Sequence, residues 1–211
     1  MAKMTISRQL SELEPDKKLV HYVQNGAVIG YARQTNGFAM EDIEVFRDGA
    51  PNLSLRETDR WFWVCWRWLL WFSLLVQMFF STRYKVFEGE EMVGGSLERR
   101  TRPAMTFRIH QDEYRLFFHA GNRFSLTKNG VQTALYAKRP EGSAHRAAPD
   151  WPAHTYDVLY ETGEQADVVR LFCLFIDKRF FLHYNYGGRS HQKYIVIHDP
   201  YSHHALWQPK E

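Results

Sequence analysis

The sequence predicts a mainly β protein, an antiparallel barrel or sandwich built from hairpins, with one buried apolar helix near the C-terminus. Three observations carry that reading. Apolar and polar residues alternate with period two over successive stretches, which suits strands that bury one face. Turn signals, several of them Asn-Gly or Asp-Gly, interrupt those stretches at regular spacing. One later stretch, Val168–Ile176, is apolar on almost every side of a helix, the pattern of a helix buried all round.

Residues 1–18 read as a polar lead-in, with a short helix over Ser7–Leu13. The hairpin domain is expected over 19–183. Its first hairpin is HYVQNGAVIGYARQ, in which Asn25-Gly26 supplies the positive φ angles of a two-residue turn. IEVFRDGAPNLSLRE follows, with Asp48-Gly49 at the turn. YKVFEGEEMVGGSLERR turns near Gly89, MTFRIHQDEYRLFFHAG near Gln111–Glu113, and RFSLTKNGVQTALYAKR at Asn129-Gly130. Gly94-Gly95-Ser96 lies inside a strand pattern, where a bulge is expected. Residues 140–153 contain three prolines and read as a loop. TYDVLYE is then another strand, the helix is expected at about 165–177, and YIVIHDP reads as a last strand within a His-rich tail, 184–211.

The segment between the second and third hairpins breaks this rhythm. Trp61–Phe80 reads WFWVCWRWLLWFSLLVQMFF, 20 residues with Arg67 as the only charge. As a helix it would be about 30 Å long, the thickness of a hydrocarbon core. Arg67 near its middle would cost about 2.5–3.5 kcal/mol on insertion scales. Three courses fit it: packing in the core, lying in a membrane interface with Trp61, Trp63, Trp66, Trp68 and Trp71 at headgroup level, or spanning. Basic residues flank it on both sides, so the positive-inside rule selects no orientation.

Charge is distributed regionally. The chain carries a formal net charge of +3, while residues 83–146 hold 12 basic against 7 acidic side chains. That region can face phosphate. Its densest cluster is ERRTR, where Arg99, Arg100 and Arg102 precede a proline that favours extended backbone. Aromatic and basic residues interleave over 107–128 as in RNA-binding sheets, but no RNP-like motif accompanies them, and nucleic acid is not the expected partner.

The order of hairpins, Pro-rich loop, strand and apolar helix ending in Ile-Asp resembles the tubby C-terminal-like superfamily, which includes the plant LURP-one-related proteins and the phospholipid scramblases. YKVFEGEEMVGGSLERR, RFSLTKNGVQTALYAKR and ADVVRLFCLFID carry the resemblance, which spans roughly residues 40–182. It implies a closed antiparallel barrel around a hydrophobic helix. It also implies contact with lipid or phosphoinositide, or scaffolding, rather than catalysis.

Signatures of catalysis are absent from the sequence: there is no GxxxxGK[ST], GxGxxG opening a helix, GxSxG or HExxH. The two cysteines, Cys65 and Cys173, sit singly in apolar runs without a CxxC, so they read as small buried hydrophobes. His110, Asp112 and Glu113 read as turn residues. His198, Asp199, His203 and His204 match no standard metal spacing, so no metal ligand or cofactor is assigned. The N-terminus lacks the apolar core of a secretory signal. The expectation is a non-enzymatic lipid- or membrane-associated binding or scaffold protein, cytoplasmic or membrane-associated and not secreted. Its expected partner is anionic phospholipid or a membrane surface; the sequence names no protein partner. The alternatives are a single-span protein with 61–80 crossing and a soluble β-domain, and a metal-binding protein or enzyme using the His-rich tail.

Overall fold

The computed structural model describes residues 2–11, 17–35, 42–57, 83–97, 104–119, 122–139 and 154–178. Among them the chain forms β1 (Ala2–Ser11), β2 (Lys17–Gln24), β3 (Ala27–Thr35), β4 (Asp42–Arg47), β5 (Ala50–Glu57) and β6 (Arg83–Glu88). β7 (Glu91–Leu97), β8 (Ala104–Ile109), β9 (Asp112–His119), β10 (Arg123–Lys128), β11 (Val131–Lys138) and β12 (Thr155–Tyr160) follow, and the helix α1 (Ala166–Ile176) comes last. Every strand pairs with its neighbours in sequence, and β1 pairs with β12, so the sheet closes into a barrel. Closure leaves no unpaired sheet edge for another chain to extend.

The five expected hairpins are all present. Asn25-Gly26, Asp48-Gly49 and Asn129-Gly130 each place two successive residues at positive φ, the geometry that matches strand twist in a two-residue turn. Four of the five hairpins also carry one extra residue, three positions beyond the turn: Ile29, Asn52, Val93 and Thr133. Bulges of this kind bend a strand and increase its twist, which helps the sheet coil into a cylinder. The carbonyls of Asn52, Val93 and Thr133 accept hydrogen bonds from the backbone N–H groups of Gly89, His110 and Glu161 in the turn that follows each. The bulge expected at the glycine pair falls beside it, at Val93.

The N-terminal segment differs from expectation. Residues 2–11 form β1 rather than a polar lead-in with a helix over Ser7–Leu13. Met4, Ile6 and Arg8 point inward, and Lys3, Thr5 and Ser7 alternate with them on the outer face. β1 pairs with β12 from Ala2 to Ser7 and with β2 from Ser7 to Ser11. The barrel therefore begins well before the span covered by the family resemblance.

Twelve strands enclose more space than side chains alone fill, since barrel diameter grows with strand number. Here α1 fills it. All α1 residues from Asp167 to Ile176 except Arg170 are buried, as expected for a helix apolar on almost every side. The fit is asymmetric. On one wall Gly30 of β3 lies so close that an added Cβ would stand 2.9 Å from the Leu174 side chain and 2.3 Å from the Glu44 carbonyl oxygen. Across the lumen, aromatic rings fill the wider gap. Phe107 meets Phe172 and Phe175 edge-to-face at 5.0 and 5.3 Å, and Tyr84 meets Phe175 at 5.2 Å.

Candidate functional site

The up-and-down order gives the barrel two unlike ends. The two-residue turns at 25–26, 48–49, 89–90, 110–111 and 129–130 share one end. The strand ends that flank residues 12–16, 36–41, 58–82, 98–103, 120–121 and 140–153 share the other, the rim. α1 enters from the turn end, where Asp167 binds Arg47 and Asn52. It finishes toward the rim, where the Lys178 ammonium donates to the carbonyls of Arg33 and Asp42 at 2.9 and 3.3 Å.

Arg99, Arg100 and Arg102 and the tryptophans Trp61, Trp63, Trp66, Trp68 and Trp71 lie outside the described residues. So do Cys65, the loop 140–153 and the His-rich tail. The strands flanking the two segments are described. Segment 58–82 joins β5 to β6, and segment 98–103 joins β7 to β8. Glu57 pairs with Tyr84, and Arg83 pairs with Leu97. Both segments thus depart from adjacent strands at one rim.

At the rim end of α1 stands a buried polar cluster. The Asp177 carboxylate is fully buried and accepts from Tyr22 and Tyr156 hydroxyls at 2.8 Å, His154 Nδ1 at 2.7 Å and Arg8 Nη1 at 3.3 Å. A negative charge at a helix C-terminus opposes the helix dipole. Burial would also raise this carboxyl, yet the His154 hydrogen bond and the Arg8 charge hold it below its ordinary value. Burial lowers His154 in turn, against the pull of Asp177, so the ring is neutral and donates its Nδ1 proton. Arg8 and Asp177 therefore form a balanced buried ion pair, tied by β1, β2 and β12 to the helix end. Burial pushes the Tyr22 and Tyr156 hydroxyls and the Cys173 thiol well up, so all three stay protonated. Among the described residues the cluster ties strands to the helix end, as a clamp does.

The turn end holds shallower ion pairs. Asp167 accepts from Arg47 Nε at 2.6 Å, Asn52 Nδ2 at 2.9 Å and Arg170 Nη1 at 2.9 Å. Glu164 accepts from the Tyr114 hydroxyl at 3.0 Å and lies 3.7 Å from Lys128, which also pairs with Asp112 at 3.1 Å. Asp112 is held below its ordinary value by hydrogen bonds from Asn129 and Lys128, consistent with a turn role for it.

Sequence reasoning missed the Asp177 cluster. Arg8 lies 169 residues from Asp177, and only closure of the barrel by β1 joins them. The available signal was Asp177 itself, an acid following directly on a helix apolar on almost every side. Among the described residues no helix is long and apolar enough to cross a membrane, and no group of three or more His, Cys, Asp or Glu side chains is placed to hold a metal ion. No protein-family model, curated protein or solved structure matches this chain.

Proposed function

We propose that this is a non-enzymatic, membrane-associated binding or scaffold protein of tubby-like architecture, which meets anionic lipid through its rim. Twelve antiparallel strands closed around an apolar helix support the architectural part of that reading. The observation that carries the functional part is the sorting of connections. The Trp-rich segment and the ERRTR segment both leave from the rim formed by β5 to β8, while the opposite end is built of short turns. A membrane contact made of aromatic and basic side chains needs both on one side of the molecule, since Trp and Tyr favour the headgroup level and each Arg near an anionic surface adds about 1 kcal/mol.

The same pairing bears on the course of residues 61–80. Glu57 and Tyr84 face each other across β5 and β6, so the segment between them returns to the side it left. An interfacial course and packing against the barrel both suit that return, and it argues against a single crossing. Co-sedimentation with phosphatidylcholine vesicles containing phosphatidylserine tests the proposal. The wild-type protein is expected to bind, with affinity falling as salt rises. Arg99→Ala/Arg100→Ala/Arg102→Ala is expected to lose about 3 kcal/mol, near a hundredfold, at low salt. Equal binding by that variant would remove ERRTR from the contact, and no binding by the wild type would overturn the reading.

A further inference from the structure

We propose that the outer wall of the barrel carries a binding site for a phosphate group, formed by Lys85 and Arg108 across the bare backbone of Gly95, with Arg56 beside them. The inference deepens the membrane reading and rests on it for the source of the phosphate, a lipid headgroup.

Register brings these residues into line. Arg56 pairs with Lys85, Lys85 with Gly95, and Gly95 with Arg108. The row thus crosses β5, β6, β7 and β8 along the hydrogen-bonding direction, from Arg56 beside the rim end of β5 to Arg108 beside the 110–111 turn, and adjacent strands lie about 4.8 Å apart. Arg56, Lys85 and Arg108 are exposed, and their neighbours along each strand face the core, so all three side chains project outward. Lys85 and Arg108 stand about 10 Å apart at the backbone, with a position between them that has no side chain. Two long flexible cations flanking such a gap can converge on one tetrahedral anion, Arg through paired N–H groups and Lys as a point charge. Gly95 cannot become a larger residue without a shift, because a Cβ there would stand 2.6 Å from the Tyr84 carbonyl oxygen.

The second observation is that Lys85 and Arg108 have no acidic partner among the described residues, whereas three exposed arginines elsewhere on the barrel are neutralised. Arg115 binds Glu113, Arg139 binds Asp157 through two bonds of 2.7 Å, and Arg47 binds Asp167. Glu113, the cross-strand neighbour of Arg108, is the carboxylate engaged by Arg115. At the other end of the row, the Arg56 charge acts on its cross-strand neighbour Asp42, and the guanidinium stacks over the Phe87 ring at 4.8 Å.

The test measures binding of the full chain to vesicles of phosphatidylcholine alone, with phosphatidylserine, or with phosphatidic acid, and to inorganic phosphate free in solution by calorimetry. Lys85→Gln/Arg108→Gln is compared with Arg139→Gln, which removes an exposed but paired cation, and circular dichroism checks that each variant retains its fold. The expected result is binding to phosphatidic acid vesicles weakened about tenfold or more by the double variant, with Arg139→Gln within about twofold of wild type. Binding of free phosphate abolished by the double variant, with vesicle binding unchanged, would keep the phosphate site and assign it to a soluble source. Equal vesicle and phosphate binding by wild type and double variant would overturn the site and leave the membrane reading standing. Absence of vesicle binding by the wild type would overturn the membrane reading, with the phosphate arm then deciding the site alone.

Discussion

Two aspartates at opposite ends of one helix show how differently the two ends of this barrel are built. Asp167 sits where α1 begins, at the turn end, and binds Arg47, whose side chain is 53% exposed. Asp177 follows the last turn, toward the rim, and is fully buried with Arg8, His154, Tyr22 and Tyr156. At the turn end the backbone already fixes the structure, through bulges whose carbonyls receive hydrogen bonds from the next turn. At the rim the connections are longer, and the buried cluster takes over. It ties β1, the strand that closes the barrel, to β12, β2 and the helix. The turn end thus combines bonds between successive turns with half-exposed ion pairs, and the rim is held by the buried Asp177 cluster together with Lys178 on the Arg33 and Asp42 carbonyls.

Loss of the buried cluster should have the largest effect. Asp177→Ala leaves Arg8 charged and buried without a partner, and urea unfolding should show a loss of about 3–5 kcal/mol. A loss no greater than at a surface pair would mean that the cluster does not hold the rim. Acid should act in the same place. His154 binds its proton less readily in the folded state than its ordinary 6.5 allows, because burial outweighs the attraction of Asp177. The unfolded chain therefore takes up that proton first, and stability should begin to fall as pH drops below about 6.5. Asp177 is also held below its ordinary value, so a second loss follows as pH falls below the usual carboxylate range. In His154→Gln the first of these two slopes should flatten in pH-dependent thermal melts; an unchanged slope would assign it to another group. At the turn end the expected effect is smallest. Arg47→Ala should cost about 0.5–1 kcal/mol, since its guanidinium is half in water and Asp167 keeps Asn52 and Arg170.

The turn end was also the legible end. Asn25-Gly26, Asp48-Gly49 and Asn129-Gly130 announce their turns because few other dipeptides accept two positive φ angles in succession. α1 was legible for a similar reason, since a helix with no polar face must be enclosed. The rim was harder. β1 reads as polar because its outward residues are Lys3, Thr5 and Ser7, and because one inward residue is the charged Arg8. An inward arginine makes sense only beside Asp177, and that proximity belongs to the closed barrel rather than to any local pattern. The row of Arg56, Lys85 and Arg108 escaped for the same reason. These residues fall in three separate hairpins, and a register shift of one residue would send each to the opposite face. ERRTR was visible because its arginines are contiguous in sequence.

Under the proposed membrane contact the two ends have different tasks, with the rim facing an anionic surface and the turn end facing away. Hydrogen exchange of the full chain, with and without phosphatidylcholine–phosphatidylserine vesicles, tests it most directly. Added protection is predicted in peptides covering 57–84 and 97–104, with none in those covering the turns at 25–26, 48–49 and 129–130. Protection at those turns, or unchanged exchange at both ends under conditions where the protein sediments with the vesicles, would contradict it.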